Sequence, residues 1–502
     1  MKEIIIFKNF SSRILLTLLN ITIGFIATPL LLKYLGGEDY SLFKISYDWL
    51  ASFGFLEQIL TASALSMLAN LNDENRDHYT HYTFNKFIKI SGIFLLLSML
   101  VIPFLPYLFK IPDNKLTEVR IGFFIGTFGF LFLPITILRT WIEFHEKSYL
   151  LNIVRSMQNF IQIVIAIVFA YLTFGIIGQY ISLLVGQLVF AIFVYWFFTK
   201  THRRKNHQIT SDDFKEFDKT LRKNNLTSLT LSLAGKLSFL SDTLILGFFF
   251  KPIDILPFTL TQKLTQMIQE NLQTLGNASW ATLASLHRNG LDEEFEMTLF
   301  SLTRVTIFMS VVLTAPLIFL NHSFIALWVG NKFYAGDLLT AIAIFNTYLM
   351  AIFSLWGWCL SGTGKIKIQV PIYTINAIIN FLTALVFIKV IGLSGPIIGT
   401  LVGFLTAYLF LIPRALEKEF KISAKKLRLT VVLPMIYLIL PIIINISYKN
   451  IFLIDNFIKL VIYYLIIALL FLIVLSLTYL KSKERKYILN LFINKLQAKK
   501  ST

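Results

Sequence analysis

The chain has 502 residues, of which 56% are hydrophobic, with 46 Lys and Arg, 28 Asp and Glu, and a mean hydropathy of +0.70. Such an apolar composition lies far above soluble usage and excludes an ordinary water-soluble enzyme. A net charge of +18 would otherwise suggest nucleic acid, but the excess sits in two loops and a tail beside apolar segments. Membrane topology and anionic lipid head groups account for it, so no nucleic-acid partner is expected.

Fourteen apolar segments are long enough to cross a bilayer, because a hydrocarbon core of about 30 Å needs about twenty helical residues. If the N terminus is placed in the cytoplasm, the Lys and Arg residues of the cytoplasmic segments outnumber those of the outer loops by more than three to one. This asymmetry predicts that both termini are cytoplasmic. The first segment is too long for a signal-peptide core and is predicted to be retained. The predicted spans are 14–32, 41–69, 90–109, 121–141, 150–172, 176–198, 225–250, 255–285, 297–320, 335–360, 368–388, 393–413, 429–448 and 457–480.

An internal repeat organises these segments. The sixth and twelfth segments share a glycine pattern at an offset of 217 residues: Gly175, Gly178 and Gly186 against Gly392, Gly395 and Gly403. Two further segment pairs match at offsets of 215 and 213 residues: Asp39 and Phe43 with Asp254 and Phe258, and Pro103 with Pro316. The register predicts two parallel six-helix lobes related by an axis along the membrane normal, as in alternating-access transporters.

The predicted division of the chain follows from this repeat. An N-lobe covers 1–198 and a C-lobe covers 225–413, joined by a cytoplasmic linker at 199–224. A basic cytoplasmic loop at 414–428 leads to two additional helices at 429–480 and a basic cytoplasmic tail at 481–502. The fold class is therefore all-α and integral to the membrane.

Several chemistries are excluded by what the sequence lacks. No P-loop pattern is found, so ATP hydrolysis is not expected. The single cysteine, Cys359, excludes an intramolecular disulfide and a cysteine-based metal cluster. All seven histidines lie in loops or at span ends, so no metal site and no cofactor is predicted. The outer loops are short, which disfavours a membrane glycosyltransferase or polymerase, and the protein is not expected to be an enzyme.

Charged residues inside the spans are the candidate functional residues, because each costs about 2.5–3.5 kcal/mol at mid-bilayer and needs a cavity or a partner. Lys44 and Asp48 are four residues apart and share a helix face, where they either meet a ligand or form an internal salt bridge. Arg304 lies near a span end, where it either binds cargo or snorkels. The predicted substrate-binding residues are Lys44, Lys236, Lys263, Arg304, Gln262, Gln266, Gln269 and Gln273, and the predicted ion-coupling residues are Asp48, Asp242 and Glu270.

Four motifs resemble a known family. Leu31 to Phe43 (LLKYLGGEDYSLF) looks like the first loop of polysaccharide flippases, with Ser41 in place of the usual glycine. Leu327 to Tyr334 (LWVGNKFY) looks like the family's loop after helix nine. The Gly-Lys segment at 362–367, followed by Asn376 and Asn380, and the Gly-x-x-Gly starts at 175 and 392 are also similar. Together these motifs resemble the Wzx-type branch of the MOP exporter superfamily, which also holds MATE drug antiporters and the lipid II flippase.

The resemblance implies a V-shaped pair of six-helix bundles that alternates between inward-open and outward-open states in a bacterial inner membrane. The implied cargo is an undecaprenyl-pyrophosphate-linked oligosaccharide for cell-surface polysaccharide such as O-antigen. Buried lysines would pair with the pyrophosphate, and the glutamines would bind sugar hydroxyls. The other expected partners are membrane lipids, a proton or sodium ion, and a polysaccharide polymerase with its chain-length regulator. The alternatives are a lipid II flippase and a MATE-like exporter, whose organic cations would favour a net negative cavity.

Overall fold

The computed structural model describes residues 2–54, 68, 73–145, 147–201, 215, 217–221, 242–447, 454–482 and 484–485, and it contains no strand within these ranges. Each of the fourteen predicted spans overlaps a helix within these ranges. The helices are α1 (Lys2–Tyr34), α2 (Gly37–Ser52), α3 (Asp73–Met99), α4 (Asp113–Thr127 and Ile135–Phe144), α5 (Ser148–Tyr171), α6 (Gly175–Thr201), α7 (Asp242–Phe249), α8 (Pro252–Thr261 and Lys263–Arg288), α9 (Asp292–Trp328), α10 (Asp337–Gly362), α11 (Ile366–Ile391), α12 (Gly395–Thr406 and Ile412–Phe420), α13 (Ala424–Val432 and Ile436–Ser447) and α14 (Phe457–Thr478).

Among the described residues, nine helices are long and apolar enough to span a membrane, or ten if the bent α4 counts as one span. The two pieces of α4 meet at an angle of 40°. Parts of the predicted spans 41–69 and 225–250 lie outside the described residues. The all-α, multi-pass membrane fold is therefore confirmed, and the count of fourteen crossings stays a prediction.

The chain divides into two compact units. Unit 1 comprises Met1–Lys236 with Thr243–Leu256, and unit 2 comprises Leu237–Asp242 with Pro257–Thr502. Most of α7 thus belongs to unit 1, where Phe249 accepts a hydrogen bond from the ammonium of Lys110. The sequence repeat predicts this helix to belong to the C-lobe, and the lobe boundaries stay predictions.

The interior of unit 1 is organised around Tyr180 of α6, which is fully buried. Its hydroxyl lies 2.8 Å from Ser46 Oγ on α2 and donates to it. Gly122 and Gly126 of α4 line the ring so closely that a Cβ at either position would lie within 3.0 Å of it. A buried phenol needs a hydrogen-bond partner, and small neighbours let the helices approach. Together these contacts fix α2, α4 and α6 against one another.

The first-loop motif of unit 1 ends in an ionic network. Lys115 Nζ lies 2.7 Å from Asp39 Oδ1 and 3.3 Å from Glu118 Oε2. Glu118 Oε1 in turn accepts a hydrogen bond of 2.6 Å from the backbone N–H of Ile176, near the start of α6. A carboxylate at a helix start satisfies an otherwise unpaired N–H. Asp39, in the first turn of α2, is therefore joined through Lys115 to α4 and, through Glu118, to α6.

The second recognised motif, 327–334, closes one end of unit 2. The Tyr334 hydroxyl donates to Asp337 Oδ1 over 2.6 Å, and the ring stacks on His322 at 4.4 Å. Burial raises the pKa of Tyr334 well above its usual value, so the phenol stays protonated and acts as a donor. Gly330, at φ 108°, supplies the left-handed turn after α9 that a side chain would strain.

The two additional C-terminal helices pack onto unit 2. The Tyr348 hydroxyl of α10 donates to the backbone oxygen of Val431 in α13 over 2.6 Å. The Tyr464 hydroxyl of α14 donates to the backbone oxygen of Leu313 in α9 over 2.8 Å. Both helices are thereby tied to the most buried helices of the unit.

The repeated glycines of α6 in unit 1 and of α12 in unit 2 both allow close packing against the preceding helix. A Cβ on Gly178 would lie 2.7 Å from Phe169 of α5, and one on Gly395 would lie 2.3 Å from the backbone nitrogen of Ile388 of α11. Each glycine lets its helix approach the preceding one closely. The sequence repeat therefore has a common structural cause.

Candidate functional site

Lys44 and Asp48 form the ion pair that their spacing predicts. Lys44 Nζ lies 2.6 Å from Asp48 Oδ1 and 2.7 Å from Oδ2, so the ammonium contacts both carboxylate oxygens. The side chains are 38% and 17% exposed. The structure thus contains the internal salt bridge, which was one of the two alternatives, and both of its side chains are partly exposed.

The second piece of α8 presents one polar, exposed face. Gln266 and Glu270 are exposed and four residues apart, and Lys263, half-buried, precedes them on the same face. The opposite face packs inside unit 2 through Leu272 and Leu283, which are buried. Among the described helices, α8 is not one of those apolar enough to span a membrane. Polar side chains are costly in hydrocarbon, and the placement of this face against water or cargo stays a prediction.

The four glutamines of α8 differ in how far their side chains are buried. Gln269 and Gln273 are half-buried beside the exposed face. Gln262 is buried at the break between the two pieces of α8, where its amide donates to the backbone oxygen of Phe258 over 3.3 Å. Of the four predicted glutamines, Gln262 therefore has a local structural contact, and the other three are exposed or half-buried. Their binding roles stay predictions.

Two predicted cations are accounted for differently. Lys236 lies outside the described residues. Arg304 Nε donates to Glu484 Oε1 over 2.6 Å, and a second guanidinium nitrogen contacts the same oxygen. Glu484 is only 4% exposed and Arg304 15%. Arg304 is therefore a partner of the C-terminal segment, and its role in cargo binding stays a prediction.

Asp242 belongs to a polar cluster within unit 2. Thr400 Oγ1 of α12 lies 2.9 Å from Asp242 Oδ1 and 3.4 Å from Asn380 Oδ1 of α11. Asn376, one turn before Asn380, is also buried. A carboxylate, a hydroxyl and amide oxygens are hard donors that suit a proton or sodium ion.

Two residues of these contacts were missed by sequence reasoning. The sequence places Glu484 in the predicted basic cytoplasmic tail, where the available signal is a single acidic residue between Lys483 and Arg485. Thr400 was one hydroxyl among many in an apolar span. In the described ranges, no group of three or more His, Cys, Asp or Glu side chains could hold a metal ion.

A family model described as polysaccharide biosynthesis protein matches residues 6–281, which is more than half of the chain. The chain belongs to this family. No curated protein gives a significant match.

Solved structures share its fold. The lipid II flippase MurJ, in an inward closed conformation, is 17% identical with a TM-score of 0.69, over 93% of this chain and 97% of that one. An inward-facing multidrug resistance MATE transporter of the MOP superfamily is 13% identical with a TM-score of 0.61, over 82% and 99%. A MOP transporter from Pyrococcus furiosus, described as having a binding pocket of reverse polarity, is 12% identical with a TM-score of 0.57, over 83% and 96%. These likenesses establish the MOP fold, which confirms the resemblance seen in the sequence.

Proposed function

We propose that the protein flips an undecaprenyl-pyrophosphate-linked oligosaccharide repeat unit across a bacterial inner membrane by alternating access, for cell-surface polysaccharide synthesis. The observation that carries the proposal is the match to a polysaccharide biosynthesis family on a fold shared with membrane transporters. The proposed orientation has both termini in the cytoplasm, in keeping with the distribution of Lys and Arg.

An anionic cargo suits the Lys44–Asp48 pair. The pair is partly exposed, and such ion pairs contribute only about 0–1 kcal/mol, so exchanging one anion for another costs little. A pyrophosphate carries more charge than a carboxylate and would displace Asp48 from Lys44. Lys263 and Gln266, on the exposed face of α8, are proposed to bind the same cargo, together with Lys236.

The test is complementation of a flippase-null strain, with membrane abundance measured in parallel. Lys44→Ala and Lys263→Ala should abolish complementation at normal abundance, while Lys44→Arg should restore part of it, since charge survives and geometry changes. The matched control is Lys459→Ala, which removes an exposed lysine of α14 whose described partner is the exposed Asp455. Full complementation by both Lys44→Ala and Lys263→Ala would refute cargo binding by these residues.

Energy is proposed to come from an ion gradient acting at Asp242 and Asp48. In the Asp242 cluster, a proton or sodium ion would neutralise a carboxylate that Thr400 now faces, and this would favour one access state. Asp48 would accept a proton when cargo takes Lys44. A ligand shifts the equilibrium only through such differential interaction.

The coupling is tested in proteoliposomes with imposed pH or sodium steps. Asp242→Asn should remove the response to at least one gradient, whereas the control Asp254→Asn, at an exposed residue, should leave it unchanged. Single cysteines placed on either side of the membrane should also label unequally in Asp48→Asn and Asp242→Asn. Parental responses in both variants would refute coupling through these carboxylates.

A second candidate is flipping of lipid II itself, which is the named cargo of MurJ. Both cargoes carry a pyrophosphate on a polyprenyl chain, so the same lysines would serve. Complementation of strains lacking each flippase separates the two, and a neighbourhood of glycosyltransferase and polymerase genes would favour the first. A MATE-like exporter is the third candidate, and it would transport organic cations.

A further inference from the structure

Two exposed tryptophans flank the seam between α8 and α10 in unit 2. Trp280 of α8 is 40% exposed, and Trp358 of α10 is 39% exposed. Every residue of α10 from 339 to 362 is described, and Trp358 is the only exposed side chain among them. An uncovered indole on an otherwise buried helix is a candidate contact for a ligand. We call Trp280 and Trp358 the indole pair.

Each indole packs against a glycine of the opposite helix. A Cβ on Gly276 of α8 would lie 3.0 Å from Cδ1 of Trp358 and 2.9 Å from Cα of Leu355. A Cβ on Gly362 of α10 would lie 3.0 Å from Cε3 of Trp280. These two glycines let the helices approach closely, so that one edge of each indole packs in the seam while the rest of the ring stays exposed. The indole pair therefore has a fixed position in unit 2.

Polar side chains lie beside the indole pair along the same seam. Gln269 and Gln273 precede Trp280 by eleven and seven residues, which places all three on one side of α8. Both glutamines are half-buried, and the backbone oxygen of Gln273 accepts a hydrogen bond from Ser354 Oγ of α10 over 3.3 Å. At 1.5 Å per residue, Gln273 and Trp280 are about 10 Å apart along the helix, which is comparable with the length of a disaccharide.

Sugar rings need this combination of aromatic and amide contacts. A pyranose has C–H groups on its faces and hydroxyls around its edge, so an aromatic ring covers a face while amide groups bind the hydroxyls. Neither contact requires a charge. A pyrophosphate would need cations instead, and an apolar polyprenyl chain would gain nothing from the glutamines. The seam therefore suits the glycan part of a lipid-linked oligosaccharide.

We propose that the indole pair stacks on pyranose rings of the cargo glycan, while Gln269 and Gln273 bind its hydroxyls. The proposal rests on the proposed function and adds to it a contact site for the sugar, separate from the lysines assigned to the pyrophosphate. In the predicted topology, Trp280 lies five residues and Trp358 two residues before the cytoplasmic ends of their spans. The indole pair is then on the side from which the cargo is taken.

Tryptophans near a membrane–water interface also anchor helices among the lipid head groups, and Trp196 of α6 provides the matched control for that role. Trp196 is 50% exposed and lies two residues before the cytoplasmic end of its predicted span. Its ring centroid lies 4.9 Å from Nζ of Lys200. A tryptophan that only anchors its helix should not distinguish a lipid that carries a glycan from one that does not.

The experiment measures lipid binding to the purified full-length protein in phosphatidylcholine nanodiscs. One titration uses undecaprenyl pyrophosphate that carries a trisaccharide of glucose and galactose rings, and the other uses undecaprenyl pyrophosphate without a glycan. The parental protein should bind the first lipid at least about fivefold more tightly than the second. The double variant Trp280→Leu with Trp358→Leu should lose this preference and bind the lipid without glycan as the parent does.

Two further variants separate stacking from anchoring. Trp280→Tyr with Trp358→Tyr keeps two aromatic faces and should retain most of the glycan preference, and Trp196→Leu should retain all of it. An unchanged glycan preference in the double leucine variant would overturn the proposal. Equal loss of binding for both lipids in that variant, or an equal effect of Trp196→Leu, would also overturn it.

The parental protein is assayed in parallel for flipping of the glycan-bearing lipid in proteoliposomes. If it flips this lipid but binds both lipids equally, the role of the indole pair is refuted and the proposed function stands. If it neither binds nor flips either lipid, the proposed function itself is refuted, and the indole pair loses its ligand with it.

Discussion

The buried ion pair between Arg304 and Glu484 supports a prediction about stability. Replacing Glu484 with Gln leaves the guanidinium of Arg304, which is only 15% exposed, without its carboxylate. Breaking a buried pair from one side costs about 3–5 kcal/mol, and the residual exposure of Arg304 places this case near about 3 kcal/mol. Glu484 also accepts from the backbone N–H of Lys481 over 2.9 Å, through its other oxygen. A glutamine has a single acceptor oxygen, so it can keep only one of these two contacts.

Thermal unfolding in detergent measures the effect. At about 2 °C per kcal/mol for a large domain, Glu484→Gln should lower the melting temperature by roughly 6 °C. Asp455→Asn, which breaks a pair whose two side chains are 62% and 85% exposed, should lower it by less than about 1 °C. Equal shifts in the two variants would refute the claim that burial makes the Arg304–Glu484 pair important.

The double variant Arg304→Met with Glu484→Leu separates a structural role from cargo binding. Apolar replacement of both partners of a buried pair is often neutral or stabilising. We expect it to recover the melting temperature and complementation together. If the double variant recovers stability but does not complement, Arg304 binds cargo, and a purely structural role for it is contradicted.

Three further predictions concern packing and the site. Gly395→Ala should destabilise unit 2 by about 1–3 kcal/mol, because the added Cβ would lie 2.3 Å from the Ile388 nitrogen. The loss of stability should lower the abundance of the protein in the membrane, and normal abundance would contradict this close packing. Glu118→Ala should cost about 1–3 kcal/mol of stability, since it leaves the Ile176 N–H unpaired. Glu118→Gln keeps an acceptor oxygen and should retain part of this stability, so equal melting temperatures of the two variants would refute the role of this hydrogen bond. Gln266→Leu should reduce flipping without lowering the melting temperature, because Gln266 is exposed, and unchanged flipping would remove it from the cargo residues.

The helices and the Lys44–Asp48 pair could be predicted because both depend on local spacing. Bilayer thickness sets the length of an apolar span, and a separation of four residues places two side chains on one helix face. The predicted span 297–320 lies within α9, which runs from Asp292 to Trp328. The helix is longer than the predicted span because a helix need not end at the edge of the hydrocarbon.

The remaining features depend on contacts between distant residues. The break in α8 follows Thr261, whose backbone oxygen accepts from the Asn321 amide 60 residues away. Glu484 is 180 residues from Arg304, and Thr400 is 158 residues from Asp242. No local period in the sequence reports such separations, so these partners could be found only once the helices were placed.

The most direct test of the central claim is flipping in proteoliposomes that contain an undecaprenyl-pyrophosphate-linked oligosaccharide in one leaflet, with a lectin reporting the glycan on the other side. The parental protein should expose the glycan when an ion gradient is imposed, and the variant carrying Lys44→Ala and Lys263→Ala should not. If the glycan stays in its original leaflet while the same proteoliposomes exchange an organic cation, the account of the protein as a flippase for an anionic lipid-linked glycan is contradicted.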